Sequence, residues 1–364
     1  MSRFLYYLIF MNMLAVIMTP VPRLLLLRSG DGALSAILLS IVAGVLFTYI
    51  TVSFFLQFPG QDFIQLLKKH TSNWVRIPVT LFFAFMWFVA GIITLVMTVF
   101  LLITFLTPEM SIYTITLSIL ITVFFGVLLK SKSVLFTLEI VFIIMIPLFV
   151  LMFFKLFTSS ELDLDQVRLA ITHINTLPDY TSFTSSTFMF MGSANLIIYN
   201  KYFKEKHHIS KGALVAITCL GIFLIINAYL IPIGYSGFDK VHQLMFPWTS
   251  SVDAVRMKFG FIERVVFIFM FLFVTISFIS MIVHWHVAYK LVLSVFRLKI
   301  LQVQQQNYTP FLIAFVFCVI GMWITIQATQ YDLYHYSMYY YNILPIFVAI
   351  FFLTMLAIKR GASS

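Results

Sequence analysis

Five residues of this chain have types and positions suited to holding a small solute in an apolar interior: Asn12, Thr19, Gly192, Ser193 and Asn195. The amides and hydroxyls donate and accept hydrogen bonds, and glycine lets a second backbone come close. All five sit in runs otherwise built from Leu, Ile, Met and Phe, where a polar group is expensive and marks a functional position by default. Thr19-Pro20-Val21-Pro22 cannot continue an α-helix, because two prolines remove donors and clash with the preceding turn. Gly192-Ser193-Ala194-Asn195 is the most polar point of "FMFMGSANLIIYN". Backbone groups freed at membrane depth are tolerated only against protein or a wet cavity, and in many transporters two such interrupted helices build the ligand site. The competing reading is packing: the prolines end the first helix at the outer interface, Gly192 lets helices touch, and Asn12 bridges two of them.

Other side chains carry weaker signals. Glu139 lies about five residues into an apolar run, as a proton relay or as the partner of Lys130 and Lys132 in an interfacial ion pair. His284 and His286 point apart on a helix, which argues against joint metal ligation, and His207-His208 reads as a solvated loop. Asn227 invites the same two readings as Asn12. Glu263 and Arg264 read as an interfacial pair, and the six tyrosines of "YDLYHYSMYYYN" (331–342) as an aromatic belt, with a ligand cage as the lesser reading. Asn307-Tyr308-Thr309 has the form of a glycosylation acceptor on what is predicted to be the cytoplasmic side, where that form has no meaning. Cys219 and Cys318, without CxxC spacing, are expected to be apolar packing residues. No GxSxG, HExxH or phosphate-cradling loop is present, so neither enzyme activity nor a cofactor is expected.

The elements that must position these residues are membrane helices. Hydrophobic residues make up 62% of the 364 and charged residues 10%, with a mean hydropathy of +1.03. A water-soluble fold could not bury that much apolar surface and keep a charged exterior. A helix needs about 20 apolar residues to cross the hydrocarbon. That criterion predicts ten spans: 4–22, 33–57, 77–105, 111–129, 134–157, 183–200, 212–235, 261–289, 310–329 and 338–358. The first run lacks a small-residue cleavage site and is expected to be a retained span. With the N-terminus inside, the inner segments hold fifteen Lys and Arg and the outer segments eight, so both termini are expected in the cytoplasm. The net charge of +10 then reflects topology and attraction to an anionic bilayer. A nucleic-acid partner is not expected, because the charge is dispersed along short loops. Two outer connections are long: 158–182, and 236–260 with Phe246-Pro247-Trp248 predicted to lie along the interface.

Taken in order, several stretches resemble the endospore germination permease family, the B-type membrane subunit of nutrient germinant receptors. Pro22-Arg23 closes the first span and Asp31-Gly32 opens the second. "QFPGQDFIQLLKKHTSNW" (57–74), "FMFMGSANLIIYNKYFKEKH" (188–207) and "FPWTSSVDAVRMKFGFIERVVFIFMFLFV" (246–274) follow at matching positions. The resemblance implies an all-α polytopic membrane protein with an inverted five-plus-five repeat (LeuT-like) bundle, a single domain over 1–364 with repeats at about 1–157 and 183–358. It implies residence in the spore inner membrane, a small nutrient ligand such as an amino acid, and partnership with an A-type membrane subunit and a C-type lipoprotein. Asn12 matches an asparagine of the family. In the related transporter architecture, hydroxyls at Thr275, Ser277 and Ser280 would form a candidate ion site, although such hydroxyls also bond their own helix. Three departures predict a less charged pocket than the family's usual one. "MNMLAVIM" (11–18) lacks glycine, Ala194 stands where glutamate is common, and "LFFAFMWFVAGIITLVMTVFLLITFL" (81–106) has no charge. Together these readings predict a nutrient-binding receptor subunit, with a secondary amino-acid transporter and a scaffold with a vestigial pocket as rivals.

Overall fold

Helix prevails along this chain because lipid offers backbone N–H and C=O groups no partner outside their own segment. The computed structural model describes residues 3–203, 210–257, 263–296, 302–303 and 306–363. His207-His208, Lys204, Lys206, Lys258, Ile262, Arg297 and Lys299 lie outside the described residues. The elements in order are α1 (Arg3–Val16), α2 (Val21–Leu26), α3 (Ala33–Phe55), α4 (Phe63–His70), α5 (Asn73–Phe105), α6 (Ile112–Leu128), α7 (Ser131–Phe157), α8 (Leu164–Thr172), α9 (Tyr180–Phe188), α10 (Leu196–Tyr199), α11 (Lys211–Ser236), α12 (Pro247–Ala254), α13 (Val265–Val295), α14 (Thr309–Gln327) and α15 (Gln330–Ser363). A two-residue antiparallel pairing joins 302–303 to 306–307.

Among the described residues, α3, α5, α7, α11, α13, α14 and α15 are long and apolar enough to cross a membrane. They carry apolar residues on every side, as helices surrounded by protein and lipid do. Burial sorts them into layers: the apolar stretches of α5 and α13 are 67% buried, that of α14 33%. So α5 and α13 form the centre, packed along each other. α7 and α14 stand outside and turn Ile140, Ile143, Phe315 and Trp323 outward. This is a polytopic helical membrane protein.

The two segments with polar interruptions depart from regular helix. The first does not end at its prolines. α1 stops at Val16, residues 17–20 form turns, and Pro20 and Pro22 begin α2, where a missing N–H and a fixed φ suit the first helical turn. The sixth predicted span is α9, then a 3₁₀ stretch over Met189–Asn195, then the single turn of α10. α1 packs directly on that 3₁₀ stretch.

Two outer expectations change. The 158–182 connection contains α8, capped by Asp163, which accepts from the N–H groups of Asp165 and Gln166. α12 does not lie along an interface. Trp248 and Phe246 are buried, and the Trp248 indole donates to the Ala228 carbonyl at 3.2 Å and stacks near Phe269. A donor-bearing aromatic beside an unpaired carbonyl gains more inside than at the surface.

Candidate ligand site

In the 3₁₀ stretch each carbonyl accepts from the N–H three residues on and not four, and Asn12 of α1 bonds two carbonyls at its start. Its Nδ2 donates to Phe188 O at 2.6 Å and to Met189 O at 3.0 Å, which uses both amide hydrogens. Thr48 of α3 donates to Phe190 O at 3.1 Å. Asn195 ends the stretch: its Nδ2 donates to Gly192 O at 3.1 Å and its Oδ1 accepts from the Trp87 indole at 2.8 Å. The interruption is therefore held by named side chains on three helices.

Gly192 sits where α1 and the 3₁₀ stretch approach most closely. A Cβ there would lie 2.7 Å from Leu8 O, 2.8 Å from Ile9 Cα and 2.9 Å from Asn12 Cβ. Any side chain would separate the two backbones. Ser193 is buried with its hydroxyl unpartnered.

Between α1, α5, the 3₁₀ stretch, α13 and α15 lies a cavity offering about 30 Å³ to the centre of a water molecule. Its polar lining is Asn12, Trp87, Asn195, His284 and Tyr340; the rest is Met86, Ala90, Phe188, Met191, Ala194, Leu344 and Phe347. As it stands the space suits one or two waters. An apolar cleft of about 340 Å³ lies alongside, between α3, α9 and α15, and shares Met191 and Leu344 with the cavity.

The predicted residues therefore divide. Asn12 and Asn195 face one cavity, with Gly192 and Ser193 in the backbone behind it. Thr19 is elsewhere: it donates to Val16 O at 2.8 Å, accepts from Val21 N at 3.4 Å, and lines a separate void of about 10 Å³ with Arg23, Trp248 and Tyr334. Thr275 donates to Phe271 O of its own helix at 2.8 Å; Ser277 is buried. Asn227 likewise donates to Phe223 O one turn back, at 2.6 Å.

Residues not predicted complete the lining. His284 Nδ1 lies 2.7 Å from Ser280 O, and because a carbonyl only accepts, Nδ1 carries a proton; in the neutral ring Nε2 is then the acceptor. His286 points elsewhere, 2.8 Å from both Ser131 Oγ and Val127 O. The tyrosine run splits: Tyr331, Tyr336 and Tyr339 are exposed, whereas Tyr334, Tyr340 and Tyr341 are buried. Residues 340 and 341 fall on the inward face of α15, so the belt reading does not extend to the buried tyrosines. Glu139 pairs with Arg3, at 2.6 and 2.9 Å across both oxygens, and not with Lys130 or Lys132. α1 passes beside α7 at that level, which brings Arg3 within reach. Arg264 pairs with Asp253 of α12. Cys219 is free and exposed, and Cys318 is free and half-buried, so the packing role expected of Cys219 does not apply.

Asn200 follows α10. Its Nδ2 donates to Phe58 O at 2.8 Å and Gln61 O at 2.7 Å, while Gly60 N donates to Phe203 O at 2.9 Å. Lys201 lies 3.5 Å from Asp62, the residue that caps α4. These bonds tie the interrupted segment to the turn after α3.

Fold and site together define a multi-pass membrane protein in which two interrupted segments meet beside a small polar cavity. The model of the spore permease family, described as spore germination protein, matches residues 2–330, and the chain belongs to that family of germination permeases. The match ends where α15 begins. No curated protein matches the chain.

Proposed function

We propose that this chain is the permease-like subunit of a nutrient germinant receptor, binding a small nutrient in the cavity between the two interrupted segments. One observation carries the reading: in a chain of the germination permease family, Asn12 of α1 and Asn195 at the end of the 3₁₀ stretch turn toward one space lined by Trp87, His284 and Tyr340. The protein acts by binding and not by catalysis. We assign it to the spore inner membrane, with ten crossings in two inverted halves of five and both termini cytoplasmic. An A-type membrane subunit and a C-type lipoprotein receive the signal.

A ligand shifts a two-state bundle only through unequal affinity for the two states. The cavity is too small for any small nutrient, amino acid or sugar, so the bound state must be a wider one. Met191 and Leu344 divide the cavity from the adjoining cleft, and an unbranched methionine side chain can rearrange at low cost. Widening at these two side chains would alter the contacts of α9 and α15 and provide the difference that partner subunits detect. The hydroxyl of Thr275, turned to its own helix, gives no support to ion-driven transport.

Ala194 lines the cavity. In spores, Ala194→Phe is expected to abolish the response to one nutrient while protein level and complex assembly stay normal. A normal response from that variant, with the response lost on gene deletion, would favour a scaffold. Uptake of the nutrient into proteoliposomes, abolished by an ionophore, would favour a transporter.

A further inference from the structure

We infer that the solute recognised in this cavity is uncharged: a small molecule bearing hydroxyl groups, such as a sugar or polyol, and not an amino-acid zwitterion. The inference rests on the cavity being the binding site. None of the twelve lining residues carries a carboxylate, an ammonium or a guanidinium. A charged group taken from water into such a space finds no lysine, arginine or carboxylate to replace the hydration it gives up.

Interrupted helices often make up for missing side-chain charge by aiming free N–H groups at an anion. This chain removes that option. Of residues 20–22 at the start of α2, Pro20 and Pro22 have no N–H, and the Val21 N–H turns to the Thr19 hydroxyl. α2 has six residues and α10 four, too short to build a substantial dipole. The cation at the break, Arg23, faces the separate outer void, donates to the Leu244 carbonyl, and lies 4.8 Å from the Tyr334 ring centre. A carboxylate in the central cavity therefore meets no lysine, no arginine and no free helix N-terminus.

The remaining polar capacity is mostly that of acceptors. Asn12 has both amide hydrogens engaged, so its oxygen is what remains. His284 presents Nε2, and Tyr340 brings a hydroxyl of either sense. Hydroxyl groups on a ligand supply the matching donors without charge. Trp87, Phe188, Tyr340 and Phe347 add flat apolar faces for the carbon-bound hydrogens of a ring. A lone cation would gain less from such faces than it loses on leaving water without a carboxylate nearby.

Radiolabelled glucose, inositol, alanine and choline are to be tested for saturable binding to the full chain in lipid nanodiscs. Glucose or inositol is expected to bind, with at least tenfold weaker binding in Ala194→Phe and a several-fold loss in Tyr340→Phe. Monodisperse elution and an unchanged melting temperature check that each variant is folded. Alanine or choline binding that Ala194→Phe abolishes would overturn the inference about charge and leave the cavity as the site. Binding of any probe that neither variant alters, or binding of none, would overturn the cavity reading itself.

Discussion

Asn12 and Asn227 are the same residue type in similarly apolar helices, yet their environments give them different weight. Asn12 bridges α1 to two carbonyls of another segment, whereas Asn227 bonds one turn back along its own helix. Replacing Asn12 by leucine removes two buried bonds that join α1 to the other segment, at a net cost of about 0.5–1.5 kcal/mol each. Asn227→Leu removes a bond whose carbonyl keeps its helical partner, and is expected to cost under ~1 kcal/mol. Thermal melting of the two variants in the same detergent tests this: equal shifts would contradict the bridging role. Glu139 teaches a related point. Its depth in the apolar run made a buried carboxylate legible, but its partner, Arg3, lies 136 residues away and could not be read from neighbouring lysines.

The meeting of α1 with the 3₁₀ stretch is set by what Gly192 lacks. With Leu8 O at 2.7 Å from a prospective Cβ, even alanine forces the two elements apart. Overpacking of this kind costs about 1–3 kcal/mol. Gly192→Ala is therefore expected to lower the melting temperature by several degrees and to weaken any ligand binding at the cavity. A substitution at 194 enters the cavity, whereas one at 192 separates its walls, so comparing the two variants distinguishes filling from distortion. If Gly192→Ala melts like the parent protein, the two backbones are not held this closely. The sequence marked the break at residues 192–195 by its polarity, but not the side of the glycine that faces α1, because helical phase is lost in a 3₁₀ turn.

For the whole molecule, the apolar helices and the excess of Lys and Arg on alternate connections lead to one expected orientation. A cysteine at Lys69, in the last turn of α4, should react with membrane-impermeant reagent only after the membrane is opened, and one at Lys240 should react from outside. The native cysteines are to be replaced first, since Cys219 is exposed. The opposite pattern would place the termini outside and reverse the access route to the cavity.

Local composition was enough to establish a helical membrane protein and the two places where helix fails, because hydrocarbon imposes itself on every stretch of about 20 residues without reference to the others. The family resemblance was also legible, since it depends on the order of short motifs. Tertiary structure decided which polar groups meet. Asn195 with Trp87, His284 and Tyr340 beside Asn12, and Thr19 apart in its own void all depend on how helices from distant parts of the chain turn toward each other. In lipid the apolar faces are nearly equivalent, so that choice falls to close packing and a few hydrogen bonds, which no single segment contains.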